Sequence, residues 1–247
     1  MQRELVFHLD HVTVSFEKHA ATHRSLRHAI GSIIGQNGRE YFRALRDVSL
    51  AICAGEHIGV IGRNGAGKST LLRVLASIID PVSGHVRIRQ RLHIVPMLEL
   101  GIGFQPDLTG RENCFMAGIL MGYTTREIEE RIPAIAQFAE LGEFFDEPVK
   151  NYSSGMYARL AFALGTDVEP DVLLVDEVFG VGDEFFMRKC IVRMQRLMQA
   201  GRTTIFVSHN LDFLLAHCDR LLWLDQGTLV MDGPPGSVAS VYRRGGL

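Results

Sequence analysis

The sequence of 247 residues predicts an α/β fold in which a sheet of buried strands is interrupted by a helical insertion. The first sign is the apolar run 57–61, typical of a strand inside a parallel sheet, which a glycine-rich loop and an apolar helix follow. The second is the alternation of strands and helices from residue 172 onward. The third is the stretch 105–165, whose patterns are helical. We therefore expect one domain over 1–247 with a helical subdomain over about 105–165.

Composition excludes several classes of protein. Hydrophobic residues make up 47% of the chain, too many for a disordered chain, and a formal net charge of −2 provides no basic field for nucleic acid. No run approaches the roughly 18–20 apolar residues of a membrane-spanning helix, and no signal peptide is recognisable. The four cysteines form no CxxC pair, so we expect free thiols. These features indicate a soluble intracellular protein.

Hydrophobic periodicity and turn residues place the individual elements along the chain. Before the glycine-rich loop, strands are predicted at 6–16 (one strand or two), 44–53 and 57–61, with a short helix at 25–34. After the loop come a helix at 69–79, strands at 86–88 and 92–95, and helices at 109–121, 125–139 and from Ser154. The last part has strands at 172–175, 204–207, 221–224 and 228–231, and helices at 183–200 and 211–217. Thr109 with Glu112, and Thr124 with Glu127, have capping-box spacing.

The glycine-rich loop matches the phosphate-binding pattern G-x-x-x-x-G-K-[ST]. Glycines let the backbone curl so that successive N–H groups point at phosphate oxygens, and the following helix adds the positive end of its dipole. Lys68 would reach the β- and γ-phosphates, and the Ser69 hydroxyl would bind Mg²⁺. The predicted nucleotide contacts are Gly62, Asn64, Gly65, Ala66, Gly67, Lys68, Ser69 and Thr70.

Two acids follow the predicted strand 172–175. Asp176 and Glu177 stand at its carboxyl end, where ligands bind in open α/β sheets. Asp176 would hold Mg²⁺ through water, and Glu177 would be the general base for the water that attacks the γ-phosphate. Taken alone, the pair is equally explained by a strand that ends in a polar turn. The phosphate loop favours the catalytic interpretation.

The stretch 152–159, Tyr-Ser-Ser-Gly-Met-Tyr-Ala-Arg, resembles the signature motif of ABC transporters, Leu-Ser-Gly-Gly-Gln followed by Arg. Ser153, Gly155 and Arg159 match the motif. The departures are Tyr152 for Leu, Ser154 for Gly and Met156 for Gln. A serine and a small residue at the start of a helix expose N–H groups that donate to phosphate. The resemblance implies a P-loop NTPase of ABC type: a RecA-like core, an antiparallel β subdomain, an inserted helical subdomain, and ATP as the nucleotide.

The resemblance covers about residues 5–242 and implies further site residues. Residues 178–183 look like the D-loop, with Asp183 in the aspartate position, and His209 looks like the switch histidine that contacts the γ-phosphate. Gln105 would be the Q-loop glutamine, a catalytic residue and Mg²⁺ ligand, although the spacing to Pro106 also suggests position 99 or 100. Phe16 stands where the family has the aromatic residue that stacks on adenine, and a core phenylalanine is the alternative.

Three stretches resemble the ATPase subunits of polysaccharide exporters for O-antigen, capsule and teichoic acid: 98–104 with 109–113, 148–156, and 181–183. The basic segment 17–43 also looks like this subfamily, where it lies near the membrane, and a solvated basic face explains it equally well. The resemblance implies a head-to-tail homodimer with two ATP molecules, a membrane permease as partner, and indirect contact with a lipid-linked glycan. It places the chain at the cytoplasmic face of the inner membrane.

Other functions fit the sequence less well. A small-molecule kinase of this fold would lack the signature and the D-loop. An ATPase with a long coiled coil would need more than the 84 residues between Lys68 and Ser153. An ABC ATPase for another exported substrate, such as a drug or a lipid, shares every catalytic residue and is the alternative. We expect no C-terminal glycan-binding domain before residue 247.

Overall fold

The computed structural model describes residues 4–17, 41–98, 101, 103–167, 170–176 and 184–245. The strands are β1 Leu5–Glu17, β2 Tyr41–Cys53, β3 His57–Ile61, β4 Ser83–Ile88, β5 Ile94–Met97, β6 Val172–Asp176, β7 Thr203–Val207, β8 Arg220–Asp225 and β9 Thr228–Gly233. The helices are α1 Lys68–Leu75, α2 Gly110–Leu120, α3 Thr125–Ala139, α4 Ser154–Asp167, α5 Glu184–Gln199, α6 Leu211–His217 and α7 Pro235–Gly245. Short 3₁₀ helices, Gly142–Asp146 and Val149–Asn151, join α3 to α4.

The larger sheet has the strand order β5-β6-β7-β3-β8-β9 and is parallel except for β9. Its central strands are continuous apolar runs because both faces of the sheet are covered. In β6, Val172 and Leu174 pack towards α1 and the smaller sheet, whereas Leu173 and Val175 pack towards α5, α6 and α7. With β3 in the interior of the sheet, the glycine-rich loop leaves the middle of the carboxyl edge.

The smaller sheet is antiparallel, with the order β2-β1-β4. Its first strand is continuous rather than divided in two, and the sequence left this choice open. Its pairing with β2 shifts register at four points, and one of these, between Leu9 and Val12, contains His11 with a φ of 52°. The inner face of this sheet shares one apolar core with α1.

The helices α2, α3 and α4 enclose a separate apolar core that includes the fully buried Ile128, Ile135 and Leu160. The predicted positions of all three helices are confirmed to within a residue or two. No helix within the described ranges has both the length and the apolar character needed to cross a bilayer.

Both predicted capping boxes are confirmed at the starts of α2 and α3. The hydroxyl oxygens of Thr109 and Thr124 accept from the backbone N–H groups of Glu112 and Glu127, and the glutamate carboxylates accept from the threonine N–H groups. These bonds lower the pKa of both glutamates.

Strands β2 and β4 each begin three residues before their predicted positions, and β5 lies at Ile94–Met97 instead of 92–95. Two helices differ more. Helix α1 ends at Leu75 instead of 79 because Ser77 turns left-handed, with φ 56°, and its N–H donates to the carbonyl of Val74. Helix α7 was not predicted, since its glycine and serine residues are weak helix formers. Packing of the buried Val238 and Ala239 against the sheet stabilises it. The predicted helix 25–34 lies outside the described residues.

The four cysteines are free thiols. Burial raises the pKa of Cys114, Cys190 and Cys218 to about 12, so these thiols remain protonated at neutral pH. Cys53, at the end of β2, is half-buried.

Candidate nucleotide-binding site

The glycine-rich loop connects β3 to α1 in a conformation that only glycine adopts easily. Gly62 and Gly67 have φ of 151° and 102°, and both are packed against backbone. A Cβ on Gly62 would lie 2.2 Å from the carbonyl oxygen of Leu224, and one on Gly67 would lie 2.4 Å from that of Ala44. Gly65 also has positive φ, at 77°, but faces open space. The underside of the loop is therefore packed against β2 and β8, while its middle is open.

The Lys68 side chain folds back into this loop. It is 6% exposed, and its Nζ donates to the carbonyl oxygens of Gly62 at 3.0 Å and Arg63 at 3.1 Å. These two hydrogen bonds orient the ammonium group. At the start of α1, Gly67 gives no side-chain cap and the first turn holds no acidic residue. An anion at this helix N-terminus meets N–H donors and the positive end of the dipole.

A turn that the sequence analysis did not connect with the site supports the loop from the side. The N–H of Gly227, between β8 and β9, donates to the carbonyl of Ala66 at 3.0 Å, and the carbonyl of Gly227 accepts from Arg46 at 2.8 Å. This hairpin turn thus joins β2 to the phosphate loop. In the sequence, only the turn-forming run 225–227, Asp-Gln-Gly, marked this point. In the structure, Gln226 and Gly227 have positive φ of 45° and 84°.

The carboxyl edge of the sheet brings two further predicted residues towards the loop. Asp176 is the last residue of β6 and pairs in register with Val207 of β7, which in turn lies beside β3. Asp176 is half-buried, and the exposed His209 follows the end of β7 by two residues. The turn at His209 is held by Ser208, whose hydroxyl oxygen accepts from the N–H of Asn210. This edge therefore carries a carboxylate and an imidazole next to the strand of the phosphate loop.

Ser153 caps α4 as the sequence predicted. Its hydroxyl oxygen accepts from the N–H of Met156 at 3.2 Å, and Ser153 itself is exposed. A Cβ on Gly155 would meet nothing closer than the Ser153 hydroxyl, at 3.9 Å, so this end of α4 is open. Tyr152, where the signature motif has Leu, donates from its hydroxyl to the carbonyl of Phe144 at 2.6 Å and fixes the chain just before the turn.

Gln105 lies between β5 and α2 with an exposed side chain. A buried residue without an assigned role holds its backbone: the Asn113 amide oxygen accepts from the Gln105 N–H, and the amide nitrogen donates to the Gln105 carbonyl. The same nitrogen also donates to the carbonyls of Leu108 and Thr109. Asn113 was visible in the sequence as part of 109–113, but no pattern indicated that it organises this loop.

The remaining predicted residues have different outcomes. Phe16, near the end of β1, is opposite Phe42 of β2 and is 40% exposed, so the alternative of a core phenylalanine is wrong. Stacking of Phe16 on adenine stays a prediction. Glu177 and Asp183 lie outside the described residues, as does most of the basic segment 17–43.

The geometry fits a nucleoside triphosphate. A buried ammonium group, an uncapped helix N-terminus and a glycine turn with open space converge on one spot, and a carboxylate ends a neighbouring strand. The first three features bind phosphate oxygens, and a carboxylate beside a phosphate is the usual protein contribution to a Mg²⁺ site.

Comparison with known proteins identifies the family. The model of the family described as "ABC transporter" matches residues 45–180. The O-antigen export system ATP-binding protein RfbB of Klebsiella pneumoniae is 41% identical over 95% of this chain and 98% of its own length. The teichoic acids export ATP-binding protein TagH of Shouchella clausii is 40% identical over 81% of this chain and 55% of its own. Among relatives named for O-antigen export, the chain spans from 45% to 98% of their lengths.

Solved structures agree with the fold. A dimeric ATP-binding cassette in a post-hydrolysis state, bound to ADP and phosphate, aligns with a TM-score of 0.74 over 93% of this chain and 98% of its own, at 22% identity. The α/β core, the antiparallel sheet and the group of helices are therefore those of an ATP-binding cassette. The chain belongs to the ABC transporter family and is one of its ATP-hydrolysing subunits.

Proposed function

We propose that this chain is the motor subunit of an ABC transporter that exports a lipid-linked polysaccharide of the O-antigen type across the inner membrane. The observation that carries this proposal is the 41% identity to an O-antigen export ATP-binding protein over nearly the whole of both chains. An exporter of teichoic acid, capsule, a drug or a lipid is the second candidate, and the similarity to a teichoic acid export protein favours teichoic acid among these.

We infer that the phosphate loop binds the triphosphate of ATP, with Lys68 directed at the β- and γ-phosphates. Ser69 and Asp176 are the residues proposed to hold Mg²⁺, with Gln105 as a further ligand. When bound, the metal neutralises phosphate charge. Glu177 is proposed to accept a proton from the attacking water, and His209 to contact the γ-phosphate.

A complete site requires a second copy of the chain. The open N-terminus of α4, with Ser153 and Gly155, is proposed to cover the γ-phosphate bound by the partner's loop. The exposure of Ser153 supports this role, because its own helix leaves it uncovered. Asp183 is proposed to lie at the same interface. ATP binding would then close a head-to-tail dimer, and hydrolysis would open it.

The permease is proposed to dock on the helices α2 and α3. A groove of about 470 Å³ runs between them, and its apolar lining includes Phe115, Met116 and Ile132. Met116, Ile119 and Leu120 are large apolar residues that are 48%, 40% and 78% exposed. An apolar surface of this kind suits a short helix of a membrane partner. Docking there would hold the chain at the cytoplasmic face of the inner membrane, with only indirect contact to the glycan.

The function is tested by complementation in the host that carries the gene. Removal of the chain should abolish polysaccharide at the cell surface while the lipid-linked precursor accumulates inside. The wild-type chain should restore export, and the Glu177→Gln variant should not, although it should bind ATP and form a stable dimer with Mg²⁺. Normal surface polysaccharide in the deletion strain would reject the proposed substrate. A monomeric Glu177→Gln variant at high ATP, even with the permease, would reject the dimer.

A further inference from the structure

The end of α3 is joined to α5 by a lysine that the nucleotide site does not use. Lys189 donates from Nζ to the carbonyl oxygen of Phe138 at 2.8 Å and to Oε1 of Glu140 at 2.7 Å. The last carbonyls of a helix have no partners within the helix, so the ammonium group caps α3 from a neighbouring helix. Glu140 turns left-handed, with φ 55°, where α3 ends.

Three phenylalanine rings, one from each of three helices, surround this contact. Phe138 of α3 stacks on Phe162 of α4, with the ring centroids 6.1 Å apart. Phe186 of α5 makes edge-to-face contacts with both rings, and its centroid lies 5.8 Å from that of Phe138 and 6.3 Å from that of Phe162. Phe186 is 2% exposed. We call these three residues the aromatic joint. It forms part of the core beneath the larger sheet.

Cations cover the aromatic joint on its outer side. The Nζ of Lys189 and the guanidinium of Arg193 each lie 4.5 Å from the centroid of Phe138. The guanidinium of Arg159 lies 4.9 Å from the centroid of Phe186, and Arg159 also approaches Glu140 at 4.0 Å. Such contacts between cations and rings are strongest when they are partly desolvated. Lys189 and Arg159 are 32% and 20% exposed, so both are partly withdrawn from water.

This cluster connects the helix that follows the signature turn to a helix that packs on the larger sheet. Arg159 and Phe162 belong to α4, the helix that Ser153 caps, whereas α5 packs on the larger sheet that carries the phosphate loop. A contact between α4 and α5 therefore sets the direction of the signature turn relative to the core. Lys189 adds α3 to the same contact. It is one of four lysines among 26 basic residues, and a compact ammonium group suits two close acceptors and a ring better than a planar guanidinium does.

We propose that Lys189, acting through the aromatic joint, is a positioning residue that holds the signature turn at the angle needed to reach the nucleotide of a second copy. This inference rests on the proposed dimer. Lys189 touches no nucleotide in this arrangement. Its loss should therefore leave ATP binding to the isolated subunit unchanged and should weaken the closing of the dimer.

The first experiment compares Lys189→Met with Lys150→Met, both in a Glu177→Gln background. Methionine keeps most of the apolar stem and removes the charge. Lys150 is the matched control because its ammonium group pairs with the exposed Asp107 at 2.8 Å. Lys189→Met should raise the subunit concentration needed for ATP-dependent dimerisation roughly tenfold, the factor for one hydrogen bond to a charged group. Lys150→Met should not change it, and Lys189→Arg should recover part of the loss.

The second experiment does not depend on the dimer and so separates the two proposals. Spin labels are attached to cysteines that replace Arg87 of β4 and Glu130 of α3, both exposed, in a Cys53→Ser background. The other three cysteines are buried, and their pKa is about 12. Lys189→Met should broaden the label distance distribution in the monomer, and Lys150→Met should not. Unchanged distances together with an unchanged dimerisation concentration would overturn the positioning role. If the Glu177→Gln subunit with its native Lys189 never dimerises, the proposed dimer is overturned. The label distances in the monomer would still decide the role of Lys189.

Discussion

The two predicted phosphate-contacting regions of this chain are built in different ways. The phosphate loop is fixed by its backbone: Gly62 and Gly67 lie against backbone carbonyls of β8 and β2, and Gly227 bonds to Ala66. The loop lies on an interior strand of the larger sheet and above a fully buried core. Its geometry therefore follows from the fold of the core itself.

The signature region is fixed by side chains. Tyr152 and Tyr157 donate to the carbonyls of Phe144 and Gly101, and Arg159 lies over the ring of Phe186. The same helix meets the core beneath the larger sheet through another side chain, the buried Phe162. Backbone packing gives one fixed geometry, whereas side-chain contacts between helices allow small rotations. A rigid loop and an adjustable signature suit a site that two copies assemble and take apart.

The largest expected effect tests the rigid region. Lys68→Ala removes a cation that the loop holds through the carbonyls of Gly62 and Arg63, so the ATP affinity of the isolated subunit should fall about 100-fold. Titration with a fluorescent ATP analogue measures the affinity. Lys150→Ala is the control. It removes an exposed ammonium group that pairs with Asp107 and not with the loop, and it should leave the ATP affinity unchanged. An affinity of Lys68→Ala within threefold of wild type would show that the loop does not depend on this charge.

The same substitution in the two regions gives a sharper contrast. In Gly67→Ala, the new Cβ would lie 2.4 Å from the Ala44 oxygen at a φ of 102°, and the free energy of unfolding should fall by about 3 kcal/mol. In Gly155→Ala, the Cβ enters open space in the first turn of a helix, so the free energy of unfolding should stay the same or rise by up to about 1 kcal/mol. Urea unfolding of both variants measures these values.

ATP turnover should fall in Gly155→Ala even though the subunit stays stable. Gly155→Ala should retain ATP binding by the subunit but lose most of its turnover, because the added methyl group blocks close approach to the partner's phosphate. A fully active Gly155→Ala would remove the signature turn from the assembled site. A Gly67→Ala variant as stable as wild type would show that the loop yields more easily than its backbone contacts suggest.

The same contrast explains what the sequence could and could not predict. The phosphate loop, the strand ending at Asp176 and the serine cap at Ser153 were predictable because each depends on residues adjacent in the chain. The roles of Gly227 and Lys189 were not, because each acts on a segment distant in sequence. Asn113 acts on residues only four to eight positions away, but its bonds depend on how the loop before α2 folds back on that helix. Helix α7 escaped prediction for a related reason: its stability comes from Val238 against the sheet and not from its own residues.

The last prediction concerns the cap of α3 in the helical region, where we expect a modest loss of stability and no change in ATP affinity. Thr124→Ala removes a hydroxyl that accepts from the Glu127 N–H, and should lower the free energy of unfolding by about 1 kcal/mol without changing ATP affinity. Hydrogen bonds from Thr124 lower the pKa of Glu127 below 4.5. The stabilisation from the ionised Glu127 is therefore present above pH 4.5 and is lost as pH falls through the lowered pKa.

The difference in stability between wild type and Thr124→Ala should accordingly narrow in acid. Urea unfolding at a series of pH values from 7 down to 2.5 measures this narrowing. Glu127→Gln cannot ionise, so the stability difference between Glu127→Gln and the Glu127→Gln/Thr124→Ala double variant should not depend on pH. An equal stability difference between wild type and Thr124→Ala over this whole pH range would mean that the carboxylate takes no part in the cap. A loss of ATP affinity in Thr124→Ala would contradict the separation of the two regions. The start of α3 would then influence the phosphate loop, whose geometry should depend on the core alone.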